Sequence, residues 1–134
     1  MNELTVGAWI LKAESDLKTS KDEMATEEPA TDTICFHAQQ CAEKFLKAFL
    51  IFHGKEIRKT HDLAEIISDC LELDPGFQEL LDLQAHTLTE FSVEFRYPSE
   101  VLFPSLEEAR AAVEIAEKVR AFVLKKLEAT GFQR

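Results

Sequence analysis

An all-α fold, an antiparallel up-down four-helix bundle with one additional short helix, is what the sequence predicts, and three observations carry it. Apolar residues recur at three- and four-residue steps through one segment after another, as amphipathic helices require. No segment keeps up a two-residue alternation, and β-branched residues are scattered rather than clustered. Only 4 Gly and 4 Pro occur among 134 residues, too few for a loop-rich or many-stranded fold. An apolar share of 46% against a charged share of 30% is a globular balance, and the length suits one domain over residues 1–134.

The first helix is expected over about Leu4 to Met24, where Trp9, Ala13, Leu17 and Met24 share a face. Pro29 closes that stretch by disfavouring helical backbone at the residue before it. Thr31 or Asp32 can cap a second helix running to about His53. Its stripe of Ile34, Ala38, Cys41, Phe45, Ala48 and Phe52 is widened by Phe36, Ala42, Leu46, Phe49 and Leu50, which predicts a central helix packed on several neighbours. Gly54 follows as the residue past the helix end, where positive φ lets the chain turn away.

After a basic connection, a shorter third helix is expected from Asp62 to about Leu73, with Leu63, Ile66, Ile67, Cys70 and Leu71 inward. Asp74-Pro75-Gly76 marks the next boundary, since Asp caps well and Pro suits a first helical position. A fourth long helix over about Pro75 to Glu94 would bury Phe77, Leu80, Leu81, Leu88, Phe91 and Phe95. A loop then lasts to Pro104. Ser105-Leu106-Glu107-Glu108 has the form of a capping box and opens a last helix to about Glu128, with Leu106, Ala109, Val113, Ala116, Val119, Val123 and Leu127 inward.

Charge and motif content exclude several functions. The net charge of −10 repels phosphate backbones in bulk, so any nucleic-acid contact needs a local basic patch. The N-terminus lacks the basic and apolar regions of a signal peptide, and no apolar run approaches the ~18 residues of a membrane span. The protein is expected to be soluble and cytoplasmic, with no membrane association. Cys35, Cys41 and Cys70 form no Cys-x-x-Cys pair, and their odd number does not suit a disulfide framework. They read as buried thiols in a reducing compartment. The residues three before the four histidines are Ile34, Leu50, Arg58 and Leu83, so the Glu-x-x-His pairs of di-iron bundles are absent. Isolated glycines offer no phosphate-cradling loop. No metal and no cofactor are expected.

The distribution of charge says more than its sum. Asp62 to Glu108 carries 12 acidic residues and a single basic one, Arg96. Just before lie His53, Lys55, Arg58, Lys59 and His61, with Lys44 and Lys47 on the second helix as possible additions to that patch. This basic connection reads either as a solvated turn complementing a helix C-terminus or as a small anion site. Arg96, isolated among acids and next to the lone Tyr97 and to Pro98, reads either as the partner of Glu90, Glu94 or Glu100 or as a bidentate grip for phosphate or carboxylate.

Several of these residues together resemble the HEPN domain family. Phe36-His37-Ala38-Gln39-Gln40-Cys41-Ala42-Glu43-Lys44-Phe45-Leu46-Lys47-Ala48 is similar to that family's second-helix signature. His61-Asp62-Leu63 matches its His-x-Leu element, Arg96-Tyr97-Pro98 its Arg-Tyr-Pro element, and Glu107-Glu108-Ala109 the opening of its last helix. The pieces occur in the family's order over nearly the whole chain.

The resemblance implies a small helical bundle, a homodimer, of prokaryotic type and often encoded beside a minimal nucleotidyltransferase. Many members are metal-independent ribonuclease toxins whose antitoxin is that nucleotidyltransferase. Their signature places a His four to six residues after an Arg, one group to shuttle a proton and the other to stabilise phosphorane charge. Here Tyr97, Pro98, Ser99, Glu100, Val101, Leu102 and Phe103 follow Arg96, and no histidine occurs after it. Arg58 precedes His61 by only three positions. The expectation is therefore a binding protein for a nucleotide, RNA or a nucleotidyltransferase partner, with Arg96, Tyr97 and His61 at the site and Lys55, Arg58 and Lys59 as a basic rim. The alternative is a ribonuclease toxin using Arg96 with an atypical base, His61 or His86.

Overall fold

The apolar width of the second segment has a direct structural consequence: that helix becomes the axis of the molecule. The computed structural model describes residues 3–92 and 103–133. Helix α1 spans Glu3–Met24, α2 Thr31–Phe52, α3 Leu63–Leu73, α4 Gln78–Asp82 and α5 Leu106–Ala129, with short 3-10 segments over Pro75–Phe77 and Ala85–Phe91. Every regular element among the described residues is helical. Helix α2 packs against α1, α5, α3 and the 85–91 segment. Phe45, Phe49, Leu46 and Leu50 of α2 are fully buried, and each such side chain contributes about 1.5–3 kcal/mol by leaving water.

Local chemistry sets most boundaries. Helix α2 ends in a Schellman turn: Gly54 sits at φ 74°, its N–H donates to the Ile51 carbonyl, and Lys55 N–H reaches back to Leu50. Helix α5 ends the same way, with Gly131 at φ 100° and Phe132 N–H bonded to Leu127. The buried Phe132 ring then meets Phe52 edge-on at 5.7 Å, tying the two helix ends together. Asp62 caps α3 through Ala64 N–H, and Asp74 caps the 75–77 turn through Gly76 N–H. The Ser105–Glu108 capping box is closed in both directions, at 2.9 and 3.0 Å.

Three expectations need correction. Thr31 and Asp32 do not cap α2; Ala30 occupies the cap position without a side-chain bond, and its own N–H donates to Glu23 of α1. Leu106, expected inward, is exposed, while Ala112 and Leu124 join the buried face of α5. The fourth long helix is broken. Gln84 adopts left-handed backbone at φ 64°, and its carbonyl accepts from both the N–H and the hydroxyl of Thr87. The cause is a gap in the apolar stripe: a continuous helix would turn polar Gln84 toward the core one turn after Leu80 and Leu81. The break leaves Gln84 exposed and buries Ala85 and Leu88 instead.

Candidate functional site

A helix this apolar should carry no unpartnered polar side chain on its buried faces, because such a group costs roughly 1–3 kcal/mol. Helix α2 nevertheless buries Gln39, Glu43 and Lys47, spaced four apart and therefore stacked along one face. They satisfy one another. Lys47 Nζ donates to Glu43 Oε2 at 2.7 Å, and Gln39 Nε2 donates to Glu43 Oε1 at 3.0 Å. Lys47 also reaches the Thr60 carbonyl at 3.3 Å and lies 6.0 Å from the Trp9 ring centre. The connection between α2 and α3 closes the cluster, with His61 Nδ1 2.9 Å from Glu43 Oε1.

Burial alone would raise the Glu43 carboxyl, but hydrogen bonds from Lys47, Gln39 and His61 outweigh it and hold the group below the ordinary carboxylate range. An ionised Glu43 accepts only, so Nδ1 of His61 is the donor and Nε2 is the nitrogen left facing outward. The His61 side chain is 65% exposed although its carboxylate partner is 5% exposed. The arrangement anchors an outward-facing imidazole on a buried acid.

The other flank of α2 holds the same three chemical groups. Asp16 of α1 meets His37 Nδ1 at 2.7 Å through one oxygen and Lys44 Nζ at 2.5 Å through the other. Here the imidazole is only 24% exposed, and the cluster joins α1 to α2.

The sequence-predicted residues fall into three groups. His61 joins the Glu43 cluster. Lys55 and Arg58 face α3: Lys55 lies 3.5 Å from Glu72, and Arg58 grips Asp69 with two bonds of 2.9 and 2.7 Å. Lys59 is exposed. Arg96 and Tyr97, with Pro98, lie outside the described residues. Thr89, seven positions before Arg96, accepts from Leu63 N–H at 3.0 Å and so ties the 85–91 segment to the His61–Leu63 connection. Lys44 and Lys47 do not extend the basic patch, since each is held by a carboxylate on a different flank of α2.

Sequence reasoning missed Glu43, Gln39 and Asp16 as site-forming residues. The signal for the first two was present: polar residues at positions 39, 43 and 47 interrupt an otherwise apolar helix at one-turn spacing.

The remaining chemistry is quiet. All three cysteines are buried, and burial pushes the Cys35 thiol up to about 12 and raises Cys41 and Cys70 as well. No group of three or more His, Cys, Asp or Glu among the described residues is placed to hold a metal ion. A groove of about 430 Å³ between α1 and α5 sets Arg120 against Glu14, Lys21 against Glu117 and Lys18 against Asp22, and shares no residue with either cluster. No helix among the described residues is long and apolar enough to cross a membrane.

Compared with known proteins, the chain matches the family model described as HEPN domain over residues 6–127. No curated protein and no solved structure matches it.

Proposed function

The chain belongs to the HEPN domain family, and on that premise we propose that it binds a phosphate-bearing ligand, a nucleotide or RNA, at the His61 end of α2. The observation that supports this most is the exposed imidazole of His61 held by buried Glu43. Arg96 and Tyr97 complete the site in this reading, with Lys59 at its rim. Lys55 and Arg58, already facing α3 carboxylates, contribute less. The long helices run antiparallel as an up-down bundle, the protein is a cytoplasmic homodimer, and a minimal nucleotidyltransferase is its protein partner.

Thermal unfolding with a panel of nucleotides and short RNAs tests the reading. A ligand of the folded state at about 100 times its dissociation constant adds about 2.7 kcal/mol and raises Tm. Arg96→Ala should remove that rise, and a panel without any rise overturns the reading. Light scattering tests the homodimer against the 15.2 kDa chain mass.

A second reading, a metal-independent ribonuclease toxin, is favoured by one feature: a carboxylate that fixes the Nδ1–H tautomer also makes Nε2 of His61 available as a base. RNA cleavage without metal, abolished by Arg96→Ala, would select it over simple binding.

A further inference from the structure

We propose, resting on the phosphate-ligand reading above, that His61 grips a phosphate oxygen through Nε2–H, that Glu43 is its positioning residue, and that binding therefore tightens as the ring gains a proton. The ring's two nitrogens are unequal. Nδ1 is committed to Glu43 at 2.9 Å, and Glu43 in turn is locked by Lys47 at 2.7 Å and Gln39 at 3.0 Å. Gln39 also reaches the His61 carbonyl at 3.4 Å, so the backbone and the ring of the same residue are held by one face of α2. With the ring 65% exposed, Nε2 is left to meet a ligand. Neutral, that nitrogen is an acceptor and offers a phosphate oxygen nothing. Protonated, it is a donor carrying positive charge, the combination that makes a strong hydrogen bond to phosphate.

The charged and titratable groups around the ring are Glu43, Lys44 and Lys47 on the adjoining turns of α2, Lys55, Glu56, Arg58, Lys59 and Asp62 in the connection, Glu65, Asp69 and Glu72 on α3, and His86 and Glu90 on the 85–91 segment, with Arg58 already paired to Glu65 and Asp69. Asp62 is engaged in capping α3, and Glu65 accepts the Thr60 hydroxyl. One proton on His61 gives Nε2 both a positive charge and a donor for the phosphate oxygen.

The shared chemistry is phosphate oxygen, and its two sources are separated by two probes: a short fluorescein-labelled single-stranded RNA and adenosine triphosphate. RNA phosphodiesters do not titrate between about pH 6 and pH 8, so a pH slope in that arm belongs to the protein. The nucleotide's own terminal phosphate titrates near about pH 6, and comparing wild type with His61→Gln on the same nucleotide cancels it. Anisotropy and calorimetric titrations at the two pH values should show wild type binding about tenfold tighter at the lower one. His61→Gln should abolish the slope while keeping the wild-type melt, since the ring is exposed. His37→Gln, the matched change on the other flank, should keep it. Glu43→Gln, whose amide no longer commits the ring's proton to Nδ1, should shrink the affinity difference between the two pH values, which a merely structural role would not do.

Equal wild-type affinity at both pH values, or a slope that survives His61→Gln, overturns the proposal and leaves the phosphate reading standing. Absence of binding by either probe at both pH values overturns the two together.

Discussion

Two carboxylates flank α2, and each divides its oxygens between a histidine Nδ1 and a lysine Nζ. Asp16 does so from α1, toward His37 and Lys44, whose side chains keep 24% and 23% of their exposure. Glu43 does so within α2, toward Lys47 at 9% and His61 at 65%. In the Asp16 cluster a buried carboxylate is shared by two partly exposed side chains, and the three groups together tie two helices. In the Glu43 cluster the acid and the amine are both taken out of water and the imidazole is left in it. The same groups thus make a tie between helices in one place and a presented, oriented ring in the other. The difference comes from where the carboxylate is anchored: on the facing helix it must bridge, whereas on α2 itself it bridges nothing and the histidine must come to it.

The largest expected effect breaks the buried pair. Glu43→Ala leaves Lys47 charged in an apolar setting and should cost about 3–5 kcal/mol in urea unfolding. Asp16→Ala should cost less, about 1–3 kcal/mol, because Lys44 and His37 can turn to water. Equal losses would erase the distinction between the clusters. Glu43→Ala combined with Lys47→Met removes both charges and should recover most of the single-variant loss, to within about 1–2 kcal/mol of wild type.

Acid titration sharpens the contrast further. The folded-state carboxyl of Glu43 lies below its ordinary value of 4.5. Its stabilisation is therefore complete above that value and disappears as pH falls through the lowered one. Glu43→Gln should flatten the acid limb of a stability-versus-pH curve measured by urea midpoints, and an unchanged limb would refute the assignment.

Smaller effects follow at the histidines and the loop. His37→Gln should lose about 1 kcal/mol by thermal melt, the worth of a half-sheltered bond to a charged partner. His61→Gln should leave the melt where it was. Arg58→Ala, which removes an exposed guanidinium from a sheltered Asp69, should lower Tm only slightly.

The helices and their ends were legible in the sequence because the code for them is local. Apolar spacing placed α1, α2, α3 and α5. Gly54, the Asp74 cap and the Ser105–Glu108 box marked boundaries that depend on residues only a few positions apart. The ordered motifs from Phe36 to Ala109 indicated the family as well. Where local signals conflicted, the chain was harder to read: apolar residues before and after Gln84 suggested one helix, and the polar residue between them decided for two short pieces.

What only the tertiary structure decided is which polar residues of α2 face each other and which face water. His37 pairs with Asp16 across 21 positions, and His61 with Glu43 across 18. Those distances are set by how α1 rolls against α2 and by where the α2–α3 connection returns. A lysine at position 47 looks the same in the sequence whether it is solvated or buried on a carboxylate. The rotation of α2 in its packed environment separates the two cases, since a buried charge is tolerated only where its partner has also been carried inside.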